Sequence, residues 1–193
     1  KDKEAFFEER RLDIKSRHAK WSHTVFLQEP NIKDSPGTLR DYHNLEWIID
    51  AEAGTRSMTE LISKRILSRL ARRELKDAFN FLHRVRNALH YHDKGNDILT
   101  LRFQGVLANE FGYPQKSILR RIEWFMKDYY THARNVYNHT KSVFEIFELQ
   151  HDEGQQYGLR SKLTFGLIKK KPKSLDDYTI RDVIDDATGM TDL

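Results

Sequence analysis

From Ser117 to Leu149 the chain places Ile118, Ile122, Phe125, Tyr129, Val136, Val143 and Phe147 at mixed steps of three, four and seven. That is the 3.6-residue period of a single buried helix face. At 1.5 Å per residue such a helix is about 50 Å long. Its stripe needs other helices laid along it, and the remaining sequence supplies them. Charged residues 3–20, with sparse apolar positions at Phe6, Phe7, Leu12 and Ile14, read as an exposed helix. Leu39–Ala53 reads as a second helix, ending at Gly54, a fitting residue for a left-handed stop. A short helix, "MTELISKRI", can take Ser57 as its cap. Longer ones span Ser68–His92 and Leu99–Phe111. Val25, Phe26 and Leu27 suit a short strand stopped by Pro30. "KLTFGLI", beyond Gly154, alternates as a second strand and could pair with 24–28. The expected architecture is mainly α: a helical bundle with one long C-terminal helix and one or two short β-strands.

The totals exclude several classes. With no cysteine there is neither a disulfide framework nor a thiolate zinc site. No run of about 18 apolar residues offers a membrane span, and "KDKEAFFEERR" lacks the apolar core of a signal peptide. These features fit a cytoplasmic protein. The highly charged start without methionine suggests a piece of a longer chain. Thirty-three basic against 29 acidic residues leave a net charge of only +4, mild for a nucleic-acid binder. The basic run "KKKPK", Lys169–Lys173, reads as a solvated loop ahead of an acidic tail.

Two helices carry a charge on the apolar face. At 100° per residue, Leu75, Ala78, Phe79, Leu82, Val85 and Leu89 form one stripe. Arg86 falls inside it, with His83 and His90 on its edge. On the helix from Leu39, the stripe of Tyr42, Leu45, Ile48 and Ile49 contains Asp41, while Arg40 points away. An arginine on an apolar face needs an anionic partner. The expected structural arrangement is an ion pair between Asp41 and Arg86. The functional alternative is that Arg86 and His90 line a polar pocket for an anion.

The segment leading into that helix, "EPNIKDSPGTLRD", is chemically ambiguous. Thr38 and Asp41 have the spacing of a capping box, and Gly37 permits a sharp entry. Yet a helix N-terminus with Lys33 and Arg40 close by is also a candidate phosphate site. The candidate anion or nucleotide contacts are therefore Lys33, Arg40, Arg86 and His90. Thr38 and Asp41 are the cap pair.

Three strings in order give a resemblance. "FLQEPNIKDSPGTLRDYHNLEWI" resembles the segment after the nucleotidyltransferase core of bifunctional PII uridylyltransferases, usually close to L-E-P-N-I-K-x-x-P-G-G-L-R-D. "FNFLHRVRNALH" and "RIEWFMKDYYTHARNV" resemble that family's next two helical signatures. The related glutamine synthetase adenylyltransferases match less well. The resemblance implies a parent with a metal-dependent nucleotidyltransferase core, this helical domain, an HD phosphohydrolase domain and ACT sensor domains. Such an enzyme transfers UMP from UTP to a tyrosine of the PII protein, with magnesium, and removes it again. On that reading residues 1–24 lead out of an absent core, 25–153 are the helical domain and 154–193 an extension with a strand and a loop-like tail. The implied partners are the core of the same parent chain and PII; neither a membrane nor, on the charge balance, nucleic acid is expected.

The chain departs from the family at Thr38, where a second glycine is usual. It also lacks the Gly-Ser turn and Asp-x-Asp that would hold Mg²⁺ against a triphosphate. No catalytic residue and no metal site is therefore assigned to it. Two other readings compete. "RVRNALH" resembles the Arg-Asn-x-x-x-x-His motif of HEPN ribonucleases, but only two residues separate Asn87 from His90. The third reading is a ligand-free interaction scaffold.

Overall fold

The computed structural model describes residues 3–163, which form six helices: α1 (Lys3–Ala19), α2 (Leu39–Ala53), α3 (Met58–Ser63), α4 (Arg69–His92), α5 (Leu101–Glu110) and α6 (Ile118–Leu163). Residues up to Glu153 make one compact unit. Within it α1 packs on α2, α2 on α4 and α4 on α5. The α6 face closes the bundle through Phe7–Phe144 and Phe81–Phe125 ring contacts.

The apolar stripes explain this arrangement. Leu75, Ala78, Leu82, Val85 and Leu89 of α4 are buried, as are Leu45, Ile48 and Ile49 of α2. On α6, Phe125, Tyr129, Val136, Val143 and Phe147 are buried, but Ile118 is exposed. The first turn of α6 therefore projects past the residues that cover the rest of its stripe. Local signals end the shorter elements. Gly54 adopts the left-handed conformation at the end of α2, and the Ser68 hydroxyl accepts from Ala71 N at the start of α4. The third helix stops at Ser63, short of the expected Ile66, before Arg65 turns to φ +56°.

Two expectations need correction. The chain forms no strand at 25–28. There the Tyr130 hydroxyl donates to Leu27 O and the Gln104 amide to Gln28 O, so side chains take carbonyls that a sheet neighbour would use. Among the described residues the sole β pairing is an isolated antiparallel bridge, Asn31 with Ile98. The long helix also does not end at Leu149. It continues through Gly154 to Leu163, so the start of the expected second strand, Lys162 and Leu163, is helical. The rest of that strand, the Lys169–Lys173 run and the tail lie outside the described residues. Among the described residues no helix is long and apolar enough to cross a membrane.

Candidate functional site

The loop between α1 and α2 is built almost entirely from its own polar atoms. Asn31 Oδ1 accepts from Lys33 N and Asp34 N, at 2.9 and 2.8 Å, and Ser35 Oγ accepts from Asn31 N. One flank pairs with the α4–α5 connection, where Ile32 N donates to Asp97 O and Leu99 N to Pro30 O. The N–H groups at the start of α2 are also taken. Leu39 N donates to Ile32 O, Arg40 N to Lys33 O and Asp41 N to Thr38 O. A phosphate would find no free backbone cradle here. What an anion could still meet are side chains.

The capping box has a different form from the expected one. Thr38 occupies the N-cap, but its hydroxyl donates to Ser35 O and accepts no cap bond. Asp41 reaches back one residue further, and its carboxylate accepts from Gly37 N at 2.6 Å. That carboxylate is fully buried and also accepts from Arg17 Nη2 at 2.5 Å and His18 Nε2 at 2.8 Å. Arg17 donates as well to Asp34 O. Burial alone would raise the Asp41 pKa, but the His18 hydrogen bond and the Arg17 charge outweigh it, and the carboxyl is held below its ordinary range.

The expected Asp41–Arg86 pair is therefore wrong. Both residues need a partner, as the helical plot requires, but each has a nearer one. For Asp41 the nearer cations come from the last turn of α1, packed directly against α2. For Arg86 the partner is Asp97, eleven residues on, where the chain folds back beyond α4. The Arg86–Asp97 contacts are 2.7 and 3.3 Å, and His90 Nε2 lies 2.7 Å from the same carboxylate. Burial opposes ionisation of Asp97, yet Arg86 and His90 hold its pKa low.

Around this second cluster further basic side chains gather. His43 of α2 is pushed down in pKa by burial and by the nearby charges of Arg40 and Arg86. His83 of α4 is pushed down by burial, His43 and Arg86. His43, His83 and Arg86 thus lie near one another on one face across α2 and α4, with Arg40 close to His43; Arg86 and His90 are held by Asp97, and the lowered pKa values leave the His43 and His83 rings neutral near pH 7. Arg40 makes only a loose 3.4 Å contact with Asp34. Lys33 is half-buried, and its ammonium has no ion-pair partner among the described residues. Arg40 also opens onto a cleft of about 530 Å³ beside α1, which Lys20, Trp21 and Trp47 help to line. Among the described residues no three His, Asp or Glu side chains stand close enough to hold a metal ion.

Of the residues singled out from the sequence, Arg40, Arg86 and His90 share this face. Lys33 is tied to the start of α2 by its backbone, its carbonyl accepting from Arg40 N. Sequence reasoning missed Arg17, His18, His43 and Asp97. The adjacent Arg17-His18 at the end of an otherwise solvated helix was the available signal for the first two.

The histidines of the face predict a pH effect. His43 and His83 have folded-state pKa values below the ordinary 6.5. The unfolded chain therefore binds their protons first, and their contribution to stability is present above about pH 6.5 and lost as pH falls through the folded values. Ring-proton NMR should show both titrating below 6.5. Urea midpoints should drop less between pH 7.5 and 6 in a His83→Gln variant than in the wild type.

Comparison with known proteins agrees with the motifs. The model of the GlnD PII-uridylyltransferase family matches residues 5–144, which take in nearly all of α1, all of α2 to α5 and more than half of α6. A bifunctional uridylyltransferase/uridylyl-removing enzyme of Methylococcus capsulatus is 34% identical over 144 residues, 74% of this chain and 16% of that protein. Proteins of the same description from Burkholderia mallei and Burkholderia pseudomallei are 35% identical over 150 residues, 77% of this chain and 18% of theirs. The chain spans about a sixth of the length of the curated relatives it matches. No solved structure matches it. These matches do not favour the ribonuclease reading, and the Arg86 guanidinium that reading would use is engaged by Asp97.

Proposed function

The chain belongs to the GlnD PII-uridylyltransferase family, and we propose that it serves, within a longer cytoplasmic polypeptide, as the helical module that completes the substrate site of a uridylyltransferase acting on PII. The observation that carries this reading is that Arg40 makes only a loose 3.4 Å contact with Asp34 and Lys33 has no ion-pair partner among the described residues, while the Lys33 carbonyl accepts from Arg40 N at the start of α2. Nucleotidyl transfer depends on positioning and on neutralising phosphate charge, which fixed cations supply. The module would contribute cations, not the reaction's metal. Magnesium and UTP are the expected cofactor and substrate of the parent, but the described residues offer no oxygen-rich donor set to hold Mg²⁺.

The test is made in a polypeptide that carries the nucleotidyltransferase core together with this module. Lys33→Ala and Arg40→Ala should each raise KM for UTP about tenfold, the loss expected for one charge-assisted hydrogen bond, with helical content unchanged. A rise confined to KM for PII would place the cations on the protein substrate instead. Unchanged kinetics for both substrates would remove the proposed role.

A further inference from the structure

Along the first half of α6 two rows of side chains run side by side. Ile122, Met126 and Tyr130 recur at steps of four, and Glu123, Lys127 and Arg134 at steps of four and seven, so each row is one ridge of the helix. Together with Phe26 they line a groove of about 620 Å³. The Phe26 ring lies 5.5 Å from that of Tyr130 and is 63% exposed. Its segment is nevertheless pinned. The Tyr130 hydroxyl donates to Leu27 O, and Phe26 N donates to Thr24 Oγ1. An apolar ring held in place against water is a preformed contact surface.

The rim sets the charge of what fits. Glu123 is held by Arg120 at 2.8 Å. Asp128, the next acid along the helix, accepts from the Tyr113 hydroxyl and does not line the groove. Lys127 lies over the Trp124 ring at 5.1 Å. Neither its ammonium nor the Arg134 guanidinium has an ion-pair partner among the described residues. Two exposed cations therefore flank an apolar floor with no carboxylate left to neutralise them. From Ile122 to Arg134 the groove follows the helix for about 18 Å, or about three turns, the length of a second helix laid against it. We infer that this groove docks an amphipathic helix of a separate partner protein, apolar on one face and acidic along the flank of that face. Apolar side chains of that helix pack between Phe26 and the row from Ile122 to Tyr130, and its carboxylates meet Lys127 and Arg134. None of the lining residues belongs to the proposed phosphate contacts, so the inference goes beyond that reading and is tested apart from it.

The probe is a fluorescent peptide of about 16 residues, long enough to hold a helix, with leucines at helical spacing and glutamates along one flank. Its control carries lysines in place of the glutamates. Titrated with the 193-residue chain, the acidic peptide should show saturable anisotropy and shift the amide signals of Met126 and Tyr130. The basic peptide should bind about tenfold more weakly, the product of two exposed pairs turned from attraction to repulsion. In the double variant Lys127→Glu/Arg134→Glu, whose changes are both on the surface, that preference should reverse. Phe26→Ala should weaken both peptides alike. No saturable binding, equal affinity for the two peptides, or a preference that the double variant leaves unreversed overturns the inference. So does acidic-peptide binding that is lost in the longer polypeptide carrying the nucleotidyltransferase core, because the groove is then covered from within. Self-association of the chain that the double variant abolishes would assign the groove to a second copy, with the same consequence.

Discussion

Gly37→Ala is expected to lower the thermal midpoint by roughly 6–15 °C. Two costs coincide at this position. Gly37 sits at φ +77°, where an L side chain loses about 1–2 kcal/mol through its clash with the following carbonyl. Its backbone also lies directly against α6. A Cβ there would overlap the Ala133 carbonyl oxygen and come within 2.8 Å of its carbon and 3.2 Å of its Cα. Backbone in the middle of a long helix cannot swing aside like a flexible side chain, so overpacking adds about 1–3 kcal/mol. Gly54 supplies the control. It too has positive φ, but nothing lies within 4 Å of its would-be Cβ, so Gly54→Ala should show only the conformational cost. Equal losses at the two glycines, measured by thermal or urea unfolding, would mean that the approach to Ala133 contributes nothing.

Gly37 also shows what the sequence could and could not say about the "PGTLRD" segment. A glycine before a helix announces a sharp entry. It does not announce that the turn is pressed against a helix about 96 residues away, because that contact exists only once α6 is laid down. The helices were legible because a 3.6-residue stripe is a local property of the chain. The strand at Val25–Leu27 misled because β-rich residues describe a side-chain preference, while a strand also needs a neighbour for its carbonyls. Here Tyr130 and Gln104 supply that role from the side. The charges were half legible. Asp41 and Arg86 fall on core-facing stripes by spacing alone, so a partner for each follows. Which partner does not follow, because α1 looked solvated. Its last turn carries Arg17 and His18, polar residues that no hydrophobic pattern marks as buried, yet both are. Thr38, where the family usually has glycine, is also accommodated. Its backbone sits at φ −106°, where no glycine is required, and its hydroxyl is used within the loop, donating to Ser35 O.

Asp41→Ala should cost about 3–5 kcal/mol, the usual consequence of breaking a buried pair and leaving the other charge behind. The stranded group is Arg17, whose side chain is 9% exposed and which would keep only a bond to Asp34 O and a long 3.9 Å contact with the half-exposed Asp13. The Gly37 N–H would be orphaned at the same time. Because the damage comes largely from the unpaired guanidinium, removing it as well should help. In a double-mutant cycle, Asp41→Ala with Arg17→Met should be less destabilised than the sum of the two single losses by about 1–3 kcal/mol. Strict additivity would show that Arg17 and Asp41 do not depend on each other. The pH dependence gives an independent check. The Asp41 carboxyl titrates below its ordinary 3.8 in the folded state. Its contribution is therefore complete above the unfolded value and is lost as pH falls through the folded one. The stability gap between wild type and Asp41→Ala should accordingly narrow steeply as pH falls below about 4. A gap that persisted unchanged into acid would mean that Asp41 holds the α1–α2 junction by shape, without its charge.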